Sequence, residues 1–154
     1  GDVSNWAEVI DINVKAVVYM ARPTPECLVA QGGGHIVTLR SIAGTEPYEA
    51  GNVYCATKHA VHALSKGMRI DLLGTGVKVT EIRPGKVETE FSIIRFHGDK
   101  EKADKVYEGI RPLTGEDIAR TILWAVTQPA HVNIDEVVVT PISQACSYYN
   151  KKEF

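Results

Sequence analysis

The sequence predicts an α/β fold with a parallel sheet, and three observations support this fold class. Short apolar, β-branched segments alternate with longer segments whose apolar residues recur every three or four positions, as in strands and amphipathic helices. Because helices rather than tight turns separate the strand-like segments, the strands are expected to run parallel, joined by right-handed crossovers. Glycine and proline clusters fall between these segments, where they end helices and strands.

The first predicted element is a helix over residues 4–22. Ser4 can cap its beginning, and Pro23 and Pro25 end or kink it. Its apolar stripe consists of Trp6, Val9, Ile10, Val14 and Val17.

The middle of the chain predicts a strand, a loop, a long helix and a second strand. Residues 35–40 form the first strand, and 41–51 form a loop that contains glycine and proline. Residues 52–73 have helical periodicity, and Gly74-Thr75-Gly76 ends that helix. Residues 77–82 are apolar and β-branched, which favours a second strand.

The last third predicts a long irregular segment, a helix and a final strand. The segment covers 86–112, with a short helix around 100–108, and such length in a compact domain usually marks a lid or binding loop. Thr114 and Asp117 form a capping box for a helix that ends near residue 127. A strand follows at 135–140. Three strands and three main helices cover only part of a parallel sheet, so we expect exposed apolar surface.

Composition narrows the class of protein. The 154 residues can form one domain, and 44% hydrophobic with 23% charged residues is typical of a globular protein. The net charge of −2 argues against a nucleic-acid partner. No segment is apolar over the ~18–20 residues of a membrane span.

Three cysteines without metal or redox spacing predict a reduced, cytoplasmic compartment. His59 and His62 have no further ligand cluster that would indicate a metal.

Tyr54 and Lys58 lie four residues apart in the predicted long helix. Residues at that spacing share one helix face, so a phenol and an ammonium project into the same volume. We expect the ammonium to lower the pKa of Tyr54 from its usual value near ~10. A tyrosine tuned in this way can exchange a proton with an alcohol or carbonyl oxygen. Ser41 follows the first predicted strand, at the sheet edge where ligands bind in open α/β sheets.

Several segments resemble the successive motifs of the classical short-chain dehydrogenases/reductases. They are Asn13-Val14-Lys15-Ala16, Ser41-Ile42-Ala43-Gly44, Tyr54-Cys55-Ala56-Thr57-Lys58 and Pro84-Gly85-Lys86-Val87-Glu88-Thr89. Within this superfamily, three segments are similar to the NADP-dependent 3-hydroxy acid (serine and allo-threonine) dehydrogenases: Thr89-Glu90-Phe91-Ser92, Arg95-Phe96-His97-Gly98-Asp99 and Pro129-Ala130-His131-Val132-Asn133-Ile134. The resemblance covers about residues 6–144. It implies the C-terminal half of a Rossmann-type doubly wound parallel sheet.

The resemblance implies catalytic roles for four side chains. Tyr54 would be the general acid in reduction and the base in oxidation, and Lys58 would lower its pKa and bind the nicotinamide ribose. Ser41 would hydrogen-bond the substrate oxygen. Asn13 would hold a water beside Lys58, and a structural hydrogen bond from Asn13 to the neighbouring strand remains an alternative.

The resemblance also implies contacts to a nicotinamide cofactor. Thr89 matches the position that contacts the nicotinamide carboxamide, and a plain turn hydroxyl is the alternative. Pro84, Gly85 and Val87 belong to the same motif, and the expected cofactor-binding set also contains Tyr54 and Lys58. The implied cofactor is NADP, with NAD as the alternative.

The long segment after residue 86 supplies the expected substrate contacts. Arg95 could form a two-pronged pair with a substrate carboxylate, and a surface arginine is the alternative. Phe96 is expected beside it. The implied partners are a small hydroxy acid or ketone and further copies of the chain in a homodimer or homotetramer.

The family's nucleotide-binding features are missing from this sequence. No Gly-rich turn follows a strand and opens a helix, which is how such folds receive the cofactor pyrophosphate. Gly32-Gly33-Gly34 precedes a strand and is predicted to be a turn. We therefore expect an incomplete, catalytic part of the domain that is inactive alone. The rival interpretation is a truncated, non-catalytic relative that serves as an association module, with Gly67 allowing close helix approach.

Two positions depart from the family pattern. Arg40 stands where a small residue usually precedes the catalytic serine, and strand alternation points its side chain away from that of Ser41. The positive charge of Arg40 could still perturb a nearby cofactor site. Pro23-Thr24-Pro25 interrupts a region that normally continues as a helix.

Overall fold

A three-stranded parallel sheet forms the centre of the structure, a computed structural model that describes residues 2–153. The strands are β1 (Gly34–Leu39), β2 (Val77–Pro84) and β3 (Glu136–Val139), in the order β1-β2-β3. The helices are α1 (Val3–Ile10), α2 (Ala16–Met20), α3 (Pro23–Ala30), α4 (Asn52–Asp71), α5 (Phe91–Arg95), α6 (Lys100–Lys105) and α7 (Gly115–Val126). The predicted parallel sheet is thereby confirmed.

The strand register places the functional loops at one edge of the sheet. Gly34 pairs with Val77 and Leu39 with Ile82 across β1 and β2, while β2 and β3 pair from Glu81 opposite Glu136 onwards. Because all three strands run parallel, their carboxyl ends lie together, and the loops after β1 and β2 leave the sheet side by side. β2 is the central strand, and its Ile82 is completely buried.

The first helical region is continuous but not uniform. A π-helical turn at Asp11–Lys15 joins α1 to α2. Ser4 was expected to cap this region, which is wrong: Asp2 is the cap and accepts the backbone N–H of Ser4 at 3.1 Å. The carboxylate of Asp2 is the better acceptor for the free N–H groups of the first turn.

Pro23 begins a helix as well as ending one. The prolines were expected to end or kink the first helix, which stops at Met20. The structure adds α3, with Pro23 in its first turn, where the missing N–H leaves no hydrogen bond unmade. The sequence prediction of three main helices therefore missed this one.

The long segment after β2 contains two short helices. α6 confirms the helix predicted around 100–108, and α5 was not predicted. The capping box at the start of α7 is confirmed, since the Thr114 side chain accepts the N–H of Asp117 and the Asp117 carboxylate accepts the N–H of Thr114.

Apolar side chains are exposed on several surfaces, as the incomplete coverage of the sheet predicts. Ile142 is 99% exposed, Leu73 84% and Leu39 54%. Within residues 2–153, none of the helices combines the length and the apolar character that a membrane span requires.

Candidate active site

A cavity of about 600 Å³ opens at the carboxyl edge of the sheet. Its walls come from the loop after β1, the first turns of α4, the loop after β2, α5 with the segment that follows it, α7 and the C-terminal tail. The lining includes Ser41, Tyr54, Pro84, Gly85, Val87, Thr89 and Arg95. Most of the sequence-predicted site residues therefore meet in one place.

Ser41 and Tyr54 bring two hydroxyl groups together in this cavity. Ser41 follows β1 in an extended conformation, and its Oγ accepts the N–H of Ala43 at 3.1 Å, which begins a short 3₁₀ turn. The Ser41 side chain lies close enough to that of Tyr54, which projects from α4, to lower the pKa of the phenol. A substrate oxygen placed between these hydroxyls would contact both.

Burial raises the pKa of Tyr54 to about 12, although the Ser41 side chain acts in the opposite direction. Tyr48 and Cys55 raise this pKa further, and Arg95 lowers it. The expectation that Lys58 lowers the pKa of Tyr54 is therefore wrong for this structure. The reason is that burial outweighs the influences that lower this pKa, and Lys58, whose Nζ lies 5.6 Å from the centre of the Tyr54 ring, is not among the groups that shift it.

Lys58 is itself partly withdrawn from solvent. Burial lowers the pKa of its ammonium. Among the described residues, no carboxylate forms an ion pair with Lys58. Its ammonium is therefore not engaged by a described carboxylate, although Lys58 is not one of the residues that line the cavity.

Asn13 connects the first helical region to α4. It lies in the π-helical turn, and its Nδ2 donates to Thr57 Oγ1 at 3.1 Å. Thr57 Oγ1 in turn donates to the backbone oxygen of Tyr54 at 2.7 Å. The alternative of a hydrogen bond from Asn13 to a neighbouring strand is wrong, because the partner is on α4; the water relay remains a prediction.

The loop after β2 is held by a residue that sequence reasoning missed, Gln144. Its Oε1 accepts the N–H of Lys86 at 2.8 Å, and it packs so closely on Gly85 that a Cβ there would collide with it. Thr89 Oγ1 accepts the N–H of Phe91 at 3.2 Å. The turn role of Thr89 is therefore present, and its hydroxyl also lines the cavity.

Arg95 lies on the cavity wall and packs between two aromatic rings. Its guanidinium carbon is 5.6 Å from the centre of the Tyr48 ring and 5.5 Å from that of Phe96. Phe96 does not line the cavity, so it supports Arg95 rather than facing a ligand. Tyr48 was not predicted as a site residue, because nothing in the loop sequence marks it as inward-facing.

A charged cluster adjoins the cavity through Arg40, which is one of the lining residues, and it corrects the expectation that no acidic group joins His62. Ligand atoms of His62, Glu81 and Glu136 lie within 4.8 Å of one another. The two acids come from β2 and β3 and are distant in sequence, so spacing alone could not reveal them. Arg40 Nη1 is 3.1 Å from Glu81 Oε2 and 3.4 Å from Glu136 Oε2, so this guanidinium already supplies the cation that the carboxylates require.

Residues 1–99 match the sequence model of the short chain dehydrogenases. The chain therefore belongs to the short chain dehydrogenase family, which confirms the predicted Rossmann-type α/β fold class. The NADP-dependent 3-hydroxy acid dehydrogenase YdfG of Salmonella typhi is 48% identical over 144 residues, which are 93% of this chain and 58% of that protein. The protein of the same name from Escherichia coli K12 is 45% identical over 149 residues, 96% of this chain and 60% of the relative.

A solved structure gives the same picture. The closed form of a serine dehydrogenase complexed with NADP+ has a TM-score of 0.93 and 43% identity, and the match covers 100% of this chain and 62% of that one. The chain thus spans about three fifths of the relatives that it resembles.

Proposed function

We propose that the protein is an NADP-dependent oxidoreductase that interconverts the secondary alcohol of a 3-hydroxy acid and the corresponding ketone. The observation that carries this proposal is the proximity of the Ser41 and Tyr54 side chains in a cavity at the carboxyl edge of a parallel sheet, with Lys58 Nζ 5.6 Å from the centre of the Tyr54 ring. The activities in the names of the similar proteins, NADP-dependent 3-hydroxy acid dehydrogenase and serine dehydrogenase, support the cofactor and the substrate class.

The residues of the cavity fit the nicotinamide end of the cofactor. The Lys58 ammonium has hydrogen-bonding capacity for the ribose hydroxyls, and the Thr89 hydroxyl can serve the carboxamide. The backbone of Pro84, Gly85 and Val87 forms the adjoining wall. When bound, the cofactor delivers or accepts the hydride, and this chain supplies the groups that bind, orient and protonate.

Tyr54 is the proposed proton donor and acceptor. With a pKa raised to about 12 it holds its proton at neutral pH, so it is ready to protonate the oxygen of a ketone as that oxygen gains charge. Ser41 hydrogen-bonds the same oxygen and orients it. In the direction of oxidation, Tyr54 must first lose its proton. We propose that this proton exchanges with solvent along a chain of water molecules that Asn13 supports.

Arg95 is the proposed partner of the substrate carboxylate. Its guanidinium lies on the cavity wall, braced by Tyr48 and Phe96, and a braced guanidinium can receive a carboxylate in two-pronged geometry. With this contact, we expect the carboxylate on the α5 side of the cavity and the hydroxyl-bearing carbon near Tyr54.

A role in self-association is the second candidate, and one observation favours it. A Cβ at Gly67 on α4 would meet no atom within 4 Å, so that stretch of helix surface is open to another helix. We propose a homodimer or homotetramer on this basis, and the association module without catalysis remains the rival to the enzyme. The expected cytoplasmic location is retained as a proposal.

The test of the proposed function is an assay of the complete protein with NADP+ and a 3-hydroxy acid such as serine, with Tyr54→Phe as the matched variant. Loss of the transferable proton should lower kcat by ~10²–10⁴-fold and leave the dissociation constant of NADPH nearly unchanged. More than about a tenth of the wild-type kcat in the variant would contradict the role of Tyr54. A wild-type protein that binds no NADPH but forms stable oligomers would favour the association module.

A further inference from the structure

Arg40 is a fully buried cation directly before Ser41, with contacts to four separate parts of the fold. Its Nε donates to the backbone oxygen of Lys58 at 3.1 Å, and its Nη2 donates to the backbone oxygen of Gly44. Its Nη1 is paired with Glu81 on β2 and Glu136 on β3. The side chain has no solvent exposure, and that of Glu81 has 2%.

The two carbonyl contacts join the two catalytic segments to each other. Gly44 ends the 3₁₀ turn that Ser41 begins, and Lys58 is one turn after Tyr54 on α4. A guanidinium is planar and carries five N–H donors in fixed directions, so binding both carbonyls fixes the distance between these segments. Gly44 is required for this approach, since a Cβ at that position would collide with Arg40 Nε.

The carboxylates hold the guanidinium in that orientation. Burial of an unpaired charge is strongly unfavourable, and the charge of Arg40 is balanced by the buried Glu81. His62 Nδ1 lies 2.9 Å from Glu81 Oε2 and 3.0 Å from Arg40 Nη1. Glu136 is shared with Arg83, which is 2.5 Å from its Oε1. The strands thus support Arg40 from one side, while its other donors reach the catalytic loop and helix.

We propose that Arg40 is a positioning residue that holds the Ser41 loop against the backbone of Lys58, so that the Ser41 and Tyr54 hydroxyls converge on one substrate oxygen. This inference rests on the proposed function. It assigns to Arg40 a role in turnover that is separable from its contribution to stability.

The separation can be made with one single and one double substitution in the complete protein. Arg40→Met leaves Glu81 buried without its cation, so the variant should unfold at a lower temperature and also lose activity. The double substitution Arg40→Met and Glu81→Gln removes both charges. The melting temperature of this variant should therefore return most of the way to the wild-type value. The carbonyls of Gly44 and Lys58 remain without their donor in the double variant, so its kcat should stay ~10–100-fold below wild type, with an NADPH dissociation constant within about twofold.

Two further variants sharpen the comparison. Arg40→Lys keeps the positive charge, but its single ammonium cannot bind both carbonyls and both carboxylates, so its kcat should also fall while its melting temperature stays close to wild type. Lys66→Met is the matched control. The substitution removes a 2.6 Å ion pair between Lys66 on α4 and Asp135. Because neither side chain of this pair hydrogen-bonds the Ser41 loop, kcat should stay within about twofold of the wild-type value.

Recovery of kcat together with the melting temperature in the double variant would overturn the proposal and leave Arg40 a purely structural role. If the wild-type protein turns over no 3-hydroxy acid, the proposed function is wrong. Crystal structures of the wild-type protein and the double variant then still show whether the Ser41 loop has moved. A Ser41 hydroxyl displaced from Tyr54 in the double variant, with an unchanged melting temperature, supports the positioning role. An undisplaced Ser41 refutes it.

Discussion

The pKa of Tyr54 determines which direction of reaction its hydroxyl can serve unaided. At a value of about 12, only about one molecule in 10⁵ carries the phenolate at pH 7. Protonation of a ketone oxygen needs the neutral phenol, which is almost fully present. Abstraction of a proton from an alcohol needs the phenolate, which is scarce. In the proposed reaction, the protonated Tyr54 of the cofactor-free site therefore favours reduction over oxidation at neutral pH.

The first prediction concerns pH profiles of the complete protein. Because a deprotonated Tyr54 is required for oxidation, kcat/KM for alcohol oxidation should rise about tenfold per pH unit from about pH 7 to pH 10. The kcat/KM for ketone reduction should not fall through loss of the Tyr54 proton in the same range. A plateau in the oxidation profile below about pH 8 would show that the free-enzyme pKa is not raised.

Lys58 provides a control for this prediction. Since its ammonium lies over the Tyr54 ring and does not set the pKa of the hydroxyl in this structure, Lys58→Met should leave the slope of the oxidation profile unchanged. It should instead raise the KM for NADP+, because a proposed ribose contact is lost. A profile displaced to higher pH would restore the original expectation that Lys58 tunes Tyr54.

Arg95 provides a second prediction at the residue scale. Arg95→Met keeps much of the side-chain volume against Tyr48 and removes the charge, so KM for a 3-hydroxy acid should rise about ten- to a hundredfold. The methyl ester of the same acid has no carboxylate, and its KM should change less than about threefold. Equal changes for acid and ester would contradict a carboxylate contact.

The positions of Ser41, Tyr54 and Lys58 near one another could be predicted from sequence, but the electrostatics could not. The motif spacing located Ser41, Tyr54 and Lys58 because a helix and a strand end fix which side chains point together. The raised pKa of Tyr54 depends on burial by several chain segments that are distant in sequence. Arg40 shows the same limit, since its carboxylate partners lie 41 and 96 residues further along the chain.

At the scale of elements, the C-terminal tail is an unexpected part of the site. Gln144 binds the loop after β2, and the N–H of Ser147 donates to Glu46 Oε2 at 2.9 Å in the loop after β1. The tail thus joins two walls of the cavity. No sequence motif marked it, because an irregular segment has neither helical nor strand periodicity. The same lack of periodic signal explains why α5 was missed, whereas α4 and α7 have long amphipathic patterns.

Gln144→Ala tests the tail. It leaves the N–H of Lys86 without its acceptor and opens space beside Gly85, a change that we expect to destabilise the loop by ~1–3 kcal/mol. The KM for NADP+ should rise several-fold, with a smaller effect on kcat. Gln128→Ala is the matched control, because Gln128 Nε2 binds only the exposed backbone oxygen of Trp124 at 2.9 Å. Equal effects of both substitutions on KM would show that the tail does not support the cofactor wall.

At the scale of the whole molecule, the described residues contain the proposed catalytic groups but not the usual turn for a cofactor pyrophosphate. Residues 2–153 contain the acid, the serine and the lysine, but no strand within them leads through a Gly-rich turn directly into a helix. Such a turn is what receives a pyrophosphate in dinucleotide-binding folds. The relatives are longer, with only 58–62% of their length matched by this chain.

We therefore expect the 154-residue chain by itself to bind NADPH weakly and to turn over no 3-hydroxy acid. Positioning can contribute ~7–11 kcal/mol to lowering a barrier, and a cofactor held only at its nicotinamide end would lose most of that contribution. Exposed apolar side chains such as Leu39, Val138 and Ile142 should drive self-association. NADPH fluorescence titration and light scattering of the isolated chain, beside the complete protein, measure both properties. Micromolar NADPH binding with turnover by a monodisperse monomer would show that these 154 residues hold the cofactor without any further segment.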